Sequence, residues 1–257
     1  MIKNYGLKIS EFPDEHAYVL GGALGLSKIV MRPDGDWTDF LPAYEPQFGA
    51  DWDSSGCVIW GHQNAIETML KQRTWDEYNF SERFNYIIGK VRPPGSDPHE
   101  QIELIRKYGL VDSKFLPMTQ TYEEFITPDP MTKELLGRGE KFIYEVKHEY
   151  VWQNSQTKEQ RMDKIKECLQ YSPLGVSVTA WYEENGIYVD NGEPNTHWCV
   201  LYGIDNKGYK IFDSYDHSHK ILSFDHNIQV CKRYALEPRL IKKKGFWLWE
   251  LLKRLFG

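Results

Sequence analysis

The sequence is poor in cysteine, with four in 257 residues, at Cys57, Cys168, Cys199 and Cys231. They are too few and too scattered for a disulfide scaffold, and no Cys-x-x-Cys pair suggests a zinc ribbon or a thioredoxin-type site. Long apolar runs are missing too. The best candidate, 17–31, is broken by three glycines and Lys28 and is too short to span a bilayer. The N-terminus is acidic at Glu11, Asp14 and Glu15, where a secretory leader is basic. Positive charge is not in excess: Lys+Arg 31 against Asp+Glu 37 gives a formal charge of −6, which argues against a nucleic-acid partner. These absences predict a cytoplasmic chain with free thiols, and no internal repeat or low-complexity tract is present.

What remains is globular in composition, 41% hydrophobic and 26% charged. The length allows one large domain or two fused lobes, with a core that needs no staple. Residues 1–35 are rich in breakers and read as an N-terminal arm or a propeptide. The spacing of Ile59, Ile66 and Leu70, and of Val58, Ala65 and Met69, predicts a helix over 57–73. Asp97-Pro98-His99-Glu100 predicts a second helix start, with Asp97 as N-cap and Pro98 as first helical residue, ending near Gly109. Helical patterns continue over 120–126, 131–150 and 157–171. After Pro173 the texture turns to short strands at 176–180, 187–189, 199–202 and 209–212. The fold class is therefore α+β, helices first and an antiparallel sheet after, over a main domain of 36–238. Residues 239–257 form a basic, aromatic-rich amphipathic tail, suited either to an anionic membrane surface or to a partner's groove.

Three elements carry chemistry. Ser54-Ser55-Gly56-Cys57 sets a thiol at the predicted start of a helix, where unpaired N–H groups and the helix dipole favour thiolate. Asn195-Thr196-His197 opens a buried strand, and Asp213 ends the next one. The turn Asp205-Asn206-Lys207-Gly208 brings that strand back, but a regular hairpin would put His197 and Asp213 on opposite faces; a one-residue bulge is needed to join them. If they meet, Asp213 can accept from one imidazole nitrogen and leave the other for the Cys57 proton.

The order Cys57, His197, Asp213, with 140 residues between the first two, resembles the papain-like cysteine peptidases. The resemblance extends to Pro173-Leu174-Gly175-Val176-Ser177-Val178, to Gly186-Ile187-Tyr188-Val189, and to Asp213-Ser214-Tyr215-Asp216, which stands where papains carry Asn-Ser-Trp-Gly. It implies a two-lobed fold and a thiol peptidase acting on a protein or peptide substrate without cofactor or metal. It implies further that Gln47 and the Cys57 N–H form an oxyanion hole, and that Gly95 and Thr196 bind substrate. Two departures stand out: Asp213 replaces the family's Asn, and Gln47 lies ten residues before Cys57, further than the family norm, with Asp51 at the usual offset. Asp213→Asn, which restores the family residue, is expected to keep much activity. Two alternatives stay open, a transglutaminase-like acyltransferase and a catalytically silent papain-like component, for example of a virus particle. Asp216, His217 and His219 lack further ligands at metal spacing, and His62 reads as a helix-face histidine.

Overall fold

The computed structural model describes residues 6–9, 20, 25–26, 28–153, 156–215 and 218–239. The tail, Asp216, His217 and most of the arm therefore lie outside the described residues. Helix α1 (Cys57–Thr74) is buried along its first 14 residues, polar ones included, so it is enclosed by the molecule and has no solvated face there. Ser81 caps α2 (Glu82–Ile88), which the periodicity did not predict. Asp97 caps α3 (Pro98–Tyr108) as expected, its carboxylate accepting from His99 N at 2.7 Å and Glu100 N at 3.2 Å. The short helices α4 (Tyr122–Ile126) and α5 (Lys133–Glu140) complete the helical part.

The expected helix over 131–150 is a correction. It stops at Glu140, and Tyr144–Tyr150 forms strand β1. Apolar or aromatic residues at 144, 146, 148 and 150 alternate there with Glu145, Lys147 and Glu149, a period of two that only a partner strand makes decisive. After α6 (Lys158–Leu169), whose Thr157–Gln160 capping box fixes its start, come β2 (Leu174–Val178), β3 (Glu183–Glu184), β4 (Ile187–Tyr188), β5 (His197–Ile204), β6 (Tyr209–Phe212), β7 (His219–Leu222) and β8 (Cys231–Pro238). The eight strands form one mixed sheet in the order β1-β8-β2-β5-β6-β7-β4-β3. Strand β8 pairs with β1 in full register from Tyr144↔Pro238 to Tyr150↔Lys232.

The core lies between the sheet and α1, with α3 and α6 against its margins. Trp37, Ile66, Leu70, Ile105, Leu169, Val176, Val200 and Ile211 meet there. Where the arm is described it packs on this body. Leu20 N donates to Tyr150 O at 2.8 Å, and Leu26 bonds both Glu149 and Arg233 of the buried ion pair that joins β1 to β8. Among the described residues no helix is long and apolar enough to cross a membrane.

Candidate active site

The residues before α1 make a compact turn. A bridge between Phe48 and Asp53, closed by Gly49 N to Trp52 O at 2.9 Å, folds four residues into a small loop. Gln47 is thereby returned to Ser54, which donates to Gln47 O from its N at 3.2 Å and from its Oγ at 2.6 Å. This loop absorbs the extra spacing between Gln47 and Cys57. Ser55 follows in the left-handed region, φ +53°, held by its N–H on Asp53 Oδ1 at 2.8 Å. Gly56 gives no side-chain cap, so the first turn of α1 begins at Cys57 with its own N–H groups unclaimed by a capping side chain.

Cys57 is fully buried. Burial pushes its thiol well above the ordinary value; the Trp198 backbone N–H works the other way, and the Asp213 and Asp53 charges add to the rise. In this form the helix terminus expected to favour thiolate is outweighed by desolvation.

His197 and Asp213 meet. Between β5 and β6 the pairing runs Ile204↔Tyr209 and Gly203↔Lys210, then shifts to Leu201↔Ile211 and Val200↔Phe212. Tyr202 is the extra residue. The shift moves Asp213 from opposite Val200 to opposite Cys199, on the same face as His197. His197 Nε2 then lies 2.5 Å from Asp213 Oδ1, both side chains fully buried. The Trp181 ring stands edge-on to the imidazole at 5.4 Å. Asp213 has a second partner that no motif singles out, Lys220 of β7, whose Nζ lies 2.8 Å from Oδ2. The pairing of Ile211 with Lys220 puts Lys220 on the Asp213 face.

Gln47 is fully buried beside this group. Its backbone N donates to Ser214 O at 3.0 Å, its Oε1 accepts from Ser214 Oγ at 3.0 Å, and its Nε2 donates to Asp53 Oδ1 at 3.2 Å. Asp53 and Ser214 thus hold the Gln47 side-chain amide in a fixed orientation.

Gly95 and Thr196 flank the N-terminal arm. Ser96 N donates to Gly6 O at 2.9 Å, Lys8 N to Ser96 O at 2.9 Å, and Leu7 N to Thr196 O at 3.4 Å. Gly6 and Gly95 both have positive φ, and the backbones touch closely: a Cβ on Gly6 would sit 2.0 Å from Ser55 O, and one on Gly95 1.8 Å from Gly6 O. Leu7 packs in one apolar cluster with Cys57, Val58, Trp198 and Val230. The Thr196 carbonyl, expected to hold substrate, and both backbone groups of Ser96, next to the expected Gly95, are thus taken by the chain's own residues 6–8.

His62 is structural, bridging Tyr234 OH and Pro98 O at 2.8 Å each. His219 bonds Tyr202 OH at 3.1 Å.

No protein-family model and no curated protein sequence matches the chain. Solved structures do. The recombinant stem bromelain precursor superposes with a TM-score of 0.59 at 17% identity, over 94% of this chain and 79% of that one. The chain has the papain-like fold. Bromelain from Ananas comosus in complex with the E64 inhibitor gives 0.57 at 16% identity, over 79% and 98%. The cysteine protease and lectin-like domains of Cwp84 from Clostridium difficile give 0.63 at 13%, over 93% of this chain. The chain spans 57% of that Cwp84 chain and 66% of the ragweed allergen Amb a 11 in its proform, less than two thirds of each. In this papain-like chain α1 to α5 precede the first strand, α6 lies between β1 and β2, and α1 packs against β5.

Proposed function

We propose that the chain is a thiol peptidase that cleaves peptide bonds of a protein or peptide substrate, held here in a latent form by its own N-terminal arm. One observation carries the reading: a buried cysteine opens α1 against the strand that starts at His197, and His197 is bonded to Asp213. In the reaction, Asp213 accepts from Nε2, which orients the imidazole so that Nδ1 exchanges a proton with the Cys57 thiol. The thiolate attacks the carbonyl carbon; the new oxyanion is met by the Cys57 N–H and the Gln47 side-chain amide. Histidinium passes its proton to the leaving amine as the C–N bond breaks. Water, deprotonated by His197, then hydrolyses the thioester and returns the thiol.

The arm supports latency by three features: it takes the Thr196 carbonyl and both Ser96 backbone groups, it brings Leu7 against Cys57, and Cys57 is inaccessible with its thiol pushed up. Residues 1–35 then serve as a propeptide to be displaced or cut. The test is intact mass after treatment with an epoxysuccinyl thiol-protease inhibitor, before and after limited proteolysis of the arm, on wild type and Cys57→Ala. One inhibitor adduct on trimmed wild type alone supports the reading. No selective adduct on the trimmed chain refutes it. Transfer of an amine to a glutamine substrate in place of peptide hydrolysis would move the chain to the acyltransferase class.

A further inference from the structure

We infer that Lys220 is a positioning residue of the candidate site: its ammonium neutralises Asp213, so that an aspartate can orient His197 without imposing a net negative charge on the thiolate–imidazolium pair. The inference rests on the thiol-peptidase reading above and adds a fourth residue to it.

The geometry is specific. Each oxygen of the Asp213 carboxylate has its own partner, His197 Nε2 on Oδ1 at 2.5 Å and Lys220 Nζ on Oδ2 at 2.8 Å. All three side chains are essentially withdrawn from solvent. Lys220 Nζ also donates to Tyr215 O at 3.0 Å, which ties the ammonium to the loop carrying Asp213. The ammonium also lies over two ring faces, Trp181 at 4.8 Å and Tyr188 at 5.6 Å, which favour a cation. Trp181 also covers the His197 ring, so a single indole borders both the imidazole and the ammonium.

Charge logic explains why such a residue is needed. A neutral asparagine orients imidazole without biasing its protonation. A lone buried aspartate does two further things: it adds negative charge that stabilises histidinium, and it opposes ionisation of Cys57, on which its field already acts. A buried carboxylate without a countercharge is also costly in itself. An ammonium on the far oxygen cancels the charge while leaving Oδ1 in place to orient the ring. Among the described residues, the other ionisable groups that face this set include Cys57 from α1, Asp53 from the preceding loop, Cys199 from β5 and Tyr188 from β4, and none of these brings a cation. The expectation that Asp213→Asn is benign changes accordingly, because that exchange alone leaves the Lys220 ammonium without its carboxylate.

The test is a double-mutant cycle on the full chain, with Lys220→Met, Asp213→Asn and the two combined. The His197 titration is read by NMR with labelled histidine, its peak assigned by loss in His197→Gln. The pH profile of Cys57 alkylation by iodoacetamide is read in parallel. Lys220→Met is expected to raise the His197 pKa by about one unit or more and to slow alkylation at neutral pH about tenfold. Asp213→Asn shifts His197 downward. The double variant returns the His197 titration and the alkylation profile to near wild type, because the pair is then neutral again. A His197 titration unmoved by Lys220→Met overturns the inference, as does a double variant no closer to wild type than the singles. If Lys220→Met does not fold, the double variant decides: folded with a wild-type His197 titration it supports the inference, and misfolded or shifted by a unit or more it overturns it. The NMR readout needs no turnover, so a wild-type chain without a reactive thiol would sink the peptidase reading and leave this result standing.

Discussion

His197 Nε2 and Asp213 Oδ1 lie 2.5 Å apart although one tight turn joins their strands and regular pairing would hold them on opposite faces. Tyr202 is an extra residue between Leu201 and Gly203. The register beyond that residue, Leu201↔Ile211 and Val200↔Phe212, is what sets Asp213 on the histidine's face.

Deleting Tyr202 sets Leu201↔Ile211 directly beside Gly203↔Lys210, so the hairpin becomes regular while Asp213 stays opposite Cys199 on the His197 face. Inhibitor labelling of Cys57 on an arm-trimmed chain should therefore stay within about tenfold of wild type, whereas Asp213→Ala should lower it at least about a hundredfold, the scale of losing a triad member. Tyr202 is also a core residue, so circular dichroism must show that the deletion variant is folded. A folded deletion variant that labels as poorly as Asp213→Ala would show that the bulge itself, and not the register beyond it, holds the contact.

Gly6→Ala addresses the arm. Its Cβ would sit 2.0 Å from Ser55 O, a backbone atom with no room to move, so the arm cannot seat as it does. Iodoacetamide alkylation of Cys57 at neutral pH should accelerate at least about tenfold, because relief of desolvation lowers the thiol pKa. Lys8→Ala, which removes only an exposed side chain, should leave the rate unchanged. If both variants react like wild type, residues 6–8 do not guard the thiol.

Gln47→Ala, measured on an arm-trimmed chain, should lower kcat by about 10²–10³ while KM moves only a few-fold, the pattern of a donor used chiefly in the transition state. Ser214→Ala removes the bond to Gln47 Oε1 but leaves the backbone link from Gln47 N to Ser214 O, so a much smaller loss is expected. A Gln47→Ala effect confined to KM would place Gln47 in substrate binding.

The sequence made local features legible and left pairwise ones hidden. The α1 helix, the Asp97 cap and the strands around His197 were readable because each depends on neighbours within a few residues. Strand β1 was misread, since Tyr144–Tyr150 becomes a strand through its partner β8, some 90 residues on. The need for a bulge could be stated from the turn and the numbering, but not its place at Tyr202, because register is set by what both faces bury. Gln47 was doubtful by spacing alone; the small loop over 48–53 is invisible to a count of residues. Lys220 could not be found, since β7 was not recognised and a lysine in a strand ordinarily points to water.

A second buried lysine gives a stability prediction that does not involve the candidate site. Lys232 Nζ lies 3.4 Å from both His99 Nδ1 and His148 Nδ1 and 3.5 Å from the centre of the Tyr150 ring. Burial pulls its pKa down to about 7, only partly offset by Asp97 and Glu103. Above pH 7 the folded chain has released that proton while the unfolded chain keeps it up to its ordinary value of 10.5, so stability climbs with pH across this window. His148, pushed down by burial to about 4, acts in the same sense at lower pH, adding stability as pH rises from 4 to 6.5. Above pH 9 the buried thiols and Tyr234, whose pKa values burial raises, work the other way, which makes pH 7 to 8.5 the range to use. Glu67 and Glu82, whose carboxyls burial raises, oppose this trend but act alike with and without Lys232. Urea unfolding of wild type should therefore gain about 1–2 kcal/mol more over that range than that of Lys232→Met, from about 1.4 kcal/mol per pH unit of full linkage. An equal slope in the two proteins would mean that Lys232 stays protonated in the folded chain, with its charge carried by Asp97 and Glu103.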